Sequence, residues 1–242
     1  MRIELQTDDD TITLIDNRLD KHGDGWIRLD GIKGLYGATK PRESGLAIPQ
    51  QHGSYWPSRL TAESRTITLD CLTRRESTIE TLDLIDRIND MAYQQITILV
   101  YDAKGTRYLT GWLADDPQQT LLERLDAFTF TIILYCPDPM RYGPWIEYPA
   151  TNGLIRVSNE GNIESWPIVK TNNVTSLTLS LGAQQVKWAG TSNPMLLNFA
   201  DMQPSQGTVL VDDAFSVPLR NSVISASYHT GSVSMLVRPA WR

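Results

Sequence analysis

The chain has 242 residues, 41% hydrophobic and 21% charged, with a formal net charge of −6. That length supports one large or two ordinary domains, each able to bury a core. No Lys/Arg cluster offers a surface for gripping DNA phosphates, and no apolar run nears the ~18 residues that span a bilayer.

The first ten residues, Met1–Asp10, lack the apolar core of a signal peptide, so synthesis in a cytoplasm without membrane insertion is expected. Predicted strands follow at Thr11–Ile15, Trp26–Ile32, Arg65–Leu72, Ile96–Tyr101, Thr106–Leu113 and Ala127–Leu134. In Arg65–Cys71 polar and apolar residues alternate, as in a half-buried strand. A helix is predicted over about 77–93. Ser77 and Glu80 have capping-box spacing, and Ile79, Leu82, Ile85, Ile88 and Met91 or Ala92 recur on one face.

Residues 34–60 break this pattern. The stretch is rich in Gly, Pro, Gln, Ser and Tyr, too long for an ordinary connection and too aromatic for a disordered linker. It reads as an extended arm against a neighbouring subunit, with Pro41, Arg42, Tyr55 and Trp56 as candidate contacts.

The alternating strand Phe128–Tyr135 then runs into Cys136-Pro137-Asp138-Pro139-Met140-Arg141-Tyr142-Gly143. Prolines cannot donate to a ladder and hold the preceding residues extended, which predicts a short, stiff joint at Pro137, Asp138, Pro139 and Tyr142. Beyond it no helical period occurs. Short apolar runs at Leu154–Val157, Pro167–Val169, Val174–Leu181, Met195–Phe199, Val209–Val211 and Val233–Val237, separated by turn residues, suggest a sandwich or jelly roll. The expected fold is mainly β with one α-helix: a β-barrel or sandwich over 1–137 and a β-sandwich over 138–242. Acidic and basic residues number 21 and 15 in the first part but 7 and 7 in the second, so the net negative charge belongs to the first.

Three segments in this order carry a family resemblance. They are Gly31–Gly37 with Pro41-Arg42, Gly53–Trp56 and the strand and helix that follow; the Asp138-Pro139-Met140-Arg141-Tyr142-Gly143 junction; and Val157–Val169. Together they resemble the distal tail proteins, often called Dit, of long-tailed phages with non-contractile tails. The resemblance implies a galectin-like jelly-roll second domain and first domains that assemble as a homo-hexameric ring. It implies a structural virion protein at the distal end of the tail, made in the bacterial host's cytoplasm. Its partners would be the tail tube protein, the tape measure protein and the tail-tip hub or tail-associated protein. The last strand would return to pack near the first domain. An acidic ring would repel phosphates, letting the genome pass without specific nucleic-acid binding.

Other motifs favour plain readings. Asp20–Gly25 begins like a calcium loop, but His22 stands at the third position and Gly31 at the twelfth, so a solvated turn fits better. Gly31, Gly34 and Gly37 lack the dinucleotide spacing, and His22, His52 and His229 make no metal pattern. Cys71 and Cys136 read as buried free thiols, with a single bridge between them left open. The Asn173-Val174-Thr175 sequon reads as chance. No cofactor, metal site or catalytic residue is expected. Two other function classes are carried along: a carbohydrate-binding module stacking sugars on Trp145 and Trp188, and a glycosidase using Asp115-Asp116 or Asp212-Asp213.

Overall fold

The computed structural model describes residues 1–16, 23–43, 45–58, 60–122, 126–191 and 193–242. The chain forms two compact units, Met1–Arg141 and Tyr142–Arg242, each with its own hydrophobic core.

The first unit contains β1 (Arg2–Gln6), β2 (Thr11–Ile15), β3 (Gly25–Lys33), β4 (Arg65–Arg74), α1 (Thr78–Asp90), β5 (Ile96–Asp102), β6 (Gly105–Leu113), β7 (Thr120–Leu121) and β8 (Ala127–Cys136). Their order, β6-β5-β1-β2-β3-β4-β8, returns to β6 through Trp112↔Tyr135 and Leu113↔Leu134, closing a seven-stranded barrel. Closure removes the open edges that would otherwise invite strand pairing. The longest ladder joins β4 to β8 from Arg65↔Cys136 to Arg74↔Ala127. Inward residues Ile67, Leu69 and Cys71 join Phe128, Phe130, Ile132 and Leu134 in an apolar interior.

Gly111 permits the closure. A Cβ there would stand 2.4 Å from the Tyr135 carbonyl oxygen, so β6 could not approach β8 as it does. Gly111→Ala is expected to destabilise the barrel by about 1–3 kcal/mol, because backbone must move to admit the methyl group. A drop in the urea midpoint would register this.

The helix begins at Ser77, whose side chain accepts from Glu80 N; the Glu80 carboxylate accepts in turn from Glu76 N, one residue before the cap. It ends at Asp90, earlier than its apolar spacing predicts, because Tyr93 takes a left-handed φ of 64°. Its buried face also differs. Thr81, Leu84, Ile88 and Met91 face the core, whereas Ile79 and Leu82 are exposed. Leu84 and Ile88 form an equally good helical stripe, so periodicity alone could not choose between the faces.

Arg87 pins the helix to the barrel. Its guanidinium donates to both Asp10 carboxylate oxygens at 2.7 and 3.0 Å, to Asp24 Oδ1 at 2.9 Å and to the Thr11 carbonyl at 3.0 Å. Hydrogen bonding from Arg87 holds the Asp10 carboxyl below its ordinary value. A depressed carboxylate pKa stabilises the fold above the unfolded value near 3.9, and that contribution is lost as pH falls through the folded value. Arg87→Met should therefore lower stability by about 1–2 kcal/mol at neutral pH, given a half-exposed but multidentate pair, and flatten acid unfolding below about pH 4. Thermal melts from pH 2 to 7 would read both effects.

A two-residue strand, β9 (Arg141–Tyr142), lies at the boundary between the units. The second unit has β10 (Ile146–Pro149), β11 (Leu154–Asn159), β12 (Ile168–Asn172), β13 (Ser176–Leu181), β14 (Gln184–Ala189), β15 (Met195–Asn198), β16 (Gln203–Pro204), β17 (Thr208–Asp212), β18 (Arg220–Tyr228), β19 (Ser232–Val237) and β20 (Ala240–Trp241). Two five-stranded antiparallel sheets, β10-β19-β12-β15-β16 and β11-β18-β13-β14-β17, enclose one core in a β-sandwich. Buried Asn159 organises the turn after β11. Its Oδ1 accepts from Gly161 N at 3.0 Å and its Nδ2 donates to the Ile163 and Val217 carbonyls at 2.9 and 3.3 Å.

Both cysteines are buried and free. Burial raises the two thiols, Cys136 to about 11, so neither is a reactive nucleophile at neutral pH.

Candidate functional site

The stretch between β3 and β4 is an irregular, exposed hairpin. One leg meets the other through Pro41↔Ala62 and Ala47↔Ser54. Arg42 N donates to the Thr61 carbonyl and Tyr55 N to the Leu46 carbonyl, both at 2.8 Å. Prolines and glycines keep it from becoming a regular ladder. Below the turn at Ile48–Gly53 its legs carry uncovered apolar side chains: Trp56 is 86% exposed and Leu46 78%, with Tyr55 also exposed. Side chains of this size ordinarily lie in a core or an interface, which makes these exposed ones a candidate interaction surface.

The root of the arm is fixed. Arg65, only 2% exposed, opens β4 and turns its guanidinium toward four backbone carbonyls. Nη1 donates to Gly34, Leu35 and Gly37 at 2.6, 3.1 and 2.8 Å, and Nε donates to Pro139 at 2.7 Å. Gly34 has a φ of 77°, and a Cβ there would fall 1.9 Å from the Thr66 carbonyl oxygen, so only glycine fits against the strand. Beside it, the Tyr36 hydroxyl donates to Asp102 Oδ2 at 3.2 Å, and burial with that carboxylate raises the Tyr36 phenol above its usual value. One buried arginine thus holds both the arm's first turn and the chain just after β8.

At the junction Pro137 and Asp138 are exposed and Pro139 is buried. Asp138 Oδ1 accepts from Met140 N at 3.0 Å, which forms the turn that ends β8. Tyr142 packs within its own unit beneath Arg238, whose guanidinium carbon lies 4.6 Å from the ring centroid. Arg238 Nε also donates to the Gly143 carbonyl at 3.0 Å.

Trp188 is corrected by the structure. It is 1% exposed and its Nε1 donates to the Gln206 carbonyl at 2.8 Å, so it fills the sandwich core and cannot stack on a sugar. The alternating strand that carries it puts residue 188 on the inward face with Val186. Trp145 is 45% exposed, and Arg238 stands 5.7 Å from its ring centroid.

Asp115 and Asp116 are exposed in the turn after β6, where Asp115 caps Asp116 N at 2.8 Å; Asp212 and Asp213 are exposed at the end of β17. His52 and His229 are exposed, and His22 with Asp20 lies outside the described residues. Among the described residues no group of three His, Cys, Asp or Glu side chains is placed to hold a metal. Nor, among the described residues, is any helix long and apolar enough to cross a membrane.

A groove of about 670 Å³ opens on the first unit between the end of α1 and the turn after β6. Tyr93, Trp112, Leu113 and Pro117 supply its apolar surface, and Asp115 and Asp116 lie on its acidic side. Neither Arg65 nor the groove stands out when the sequence is read for chemical motifs. Arg65 carried one usable signal, since it shares the alternation phase of Ile67, Leu69 and Cys71 and so places a charge at a core position.

No protein-family model and no curated protein matches the sequence. Solved structures do share its fold. The SPP1 Dit protein, described as a hub of the adsorption apparatus in phages that infect Gram-positive bacteria, superposes with a TM-score of 0.71 at 14% identity, covering 99% of both chains. A chain of the phage P2 baseplate superposes with a TM-score of 0.51 at 13% identity, covering 98% of this chain and 97% of that one. The chain therefore has the fold of SPP1 Dit from end to end, and the resemblance carried by the three ordered segments holds at the level of fold.

Proposed function

We propose that this chain is a structural adaptor at the distal end of a phage tail, where first units assemble side by side into a hexameric ring. The observation that carries this reading is the architecture shared with SPP1 Dit over 99% of both chains, barrel and sandwich alike. The arm supports it, because an anchored root with exposed aromatic side chains beyond it suits a contact repeated from copy to copy.

In this role the ring joins the tail tube, with its tape measure protein, to the tail-tip hub or tail-associated protein, and has no catalytic activity. The two acidic pairs, Asp115-Asp116 and Asp212-Asp213, lie exposed in turns or at a strand end. The acidic excess of the first part of the chain would keep a ring lumen from holding a passing genome. A sugar-binding second unit is the weaker reading, having lost one of its two tryptophan platforms to the core.

Immunogold labelling of virions that carry the chain tests the assignment. Gold confined to the distal tail end is expected; gold on the capsid, or none on particles, would overturn it.

A further inference from the structure

We infer that the outward face of α1 and the groove at its end form one docking surface for a basic, apolar-bearing segment of another protein, with a cationic side chain of that segment entering the groove between Trp112 and the Asp115-Asp116 turn. That the segment belongs to a neighbouring tail protein rests on the adaptor reading; the surface itself does not.

Helical spacing makes the surface continuous. Ile79, Leu82, Asp86 and Asn89 recur at intervals of three and four, so they share one exposed stripe of α1, and Asn89 is also part of the groove wall. Ile79 is 72% exposed and Leu82 48%, where a solvent-facing helix face ordinarily carries polar residues. Just past the helix, Tyr93 presents a fully exposed ring from a left-handed backbone, an arrangement that gains the isolated fold no burial. Trp112 supplies a second aromatic wall, its ring held against Tyr135 with centroids 5.0 Å apart. From Ile79 to Asn89 the stripe runs about 15 Å at ~1.5 Å per residue. About five residues of extended chain cover that span.

Charge decides what the surface accepts. α1 carries Glu80, Asp83, Asp86 and Asp90 against one base, Arg87, whose guanidinium is already engaged by Asp10 and Asp24. Asp115 and Asp116 lie at the groove, and among the described residues no Lys, Arg or His lines it. The carbonyl end of α1 adds the negative pole of the helix dipole at the same place. A guanidinium or ammonium beside these carboxylates and against the Trp112 ring gains ion-pair and cation–π attraction together. The volume of about 670 Å³ leaves room for an apolar neighbour of that cation.

Fluorescence anisotropy of a short labelled peptide of alternating arginine and leucine, titrated with the purified full chain, tests the surface. Saturable binding is expected, about tenfold tighter than that of an arginine–serine peptide, with none for a glutamate–leucine peptide. Asp115→Asn with Asp116→Asn should weaken it about tenfold, since two charge-assisted contacts are lost. Asparagine keeps the residue-115 oxygen that caps the turn, so the loop itself should stand. Leu82→Gln should weaken binding several-fold. Asp212→Asn with Asp213→Asn removes the same charge from the second unit and should change nothing. Absence of saturable binding, or equal weakening by the two double variants, would overturn the proposal, the latter because the peptide then follows net charge alone. Gold at the distal tail end without peptide binding removes the surface and leaves the adaptor reading; peptide binding with gold elsewhere keeps the surface and removes the tail partner.

Discussion

Arg65→Met is expected to destabilise the first unit by about 3–4 kcal/mol, because two buried and two partly buried hydrogen bonds from one charged donor are lost together. Methionine matches much of the arginine's length, so the loss measures the hydrogen bonds more than a cavity. The Gly34, Leu35, Gly37 and Pro139 carbonyls have Arg65 as their shared donor, and two separate stretches of chain should loosen at once. Urea unfolding followed in the first unit should show a lower midpoint. Hydrogen exchange should speed at the arm root and near Met140. Arg65→Lys should fall between, since a compact ammonium cannot reach all four carbonyls.

Trp56→Ala should act in the opposite way, leaving the fold intact and removing assembly. Its side chain is 86% exposed, so the stability of the isolated chain should move by less than about 0.5 kcal/mol. An aromatic anchor in an interface commonly contributes about 2 kcal/mol or more, equivalent to about a 30-fold weaker contact, and each copy in a ring uses the contact again. Sedimentation across a concentration series should show the variant monomeric where the wild type assembles. Unchanged assembly would remove Trp56 from the interface.

Much of the fold is legible in the sequence because alternation and helix capping are local. The strands at Arg65–Leu72 and Ala127–Leu134 stand within two residues of their observed ends, and Ser77 caps the helix. β1 is hidden by the polar residues of Arg2–Gln6, where only Ile3 and Leu5 mark an inward face. β18 is hidden likewise: Arg-Asn-Ser-Val-Ile-Ser-Ala-Ser-Tyr buries only Ile224 and Ala226, and its many serines read as loop. The choice of a closed barrel depends on Trp112 meeting Tyr135, a long-range pairing that no local pattern encodes.

The site divides in the same way. Composition suffices to mark residues 34–60, because an aromatic, proline-rich stretch has no place in a core or in a free linker. It cannot show that Arg65 holds the root, since its carbonyl partners belong to segments 28 to 74 residues away. Nor could it separate Trp188 from Trp145; burial is settled by which sheet face packs on the other.

The ring is tested most directly by the mass of the purified chain measured from nanomolar to high micromolar concentration. Closed hexamers should appear as concentration rises, replaced by monomers in Trp56→Ala. A wild-type chain that stays monomeric throughout, or grows into open filaments without a closed species, would contradict a ring-forming adaptor.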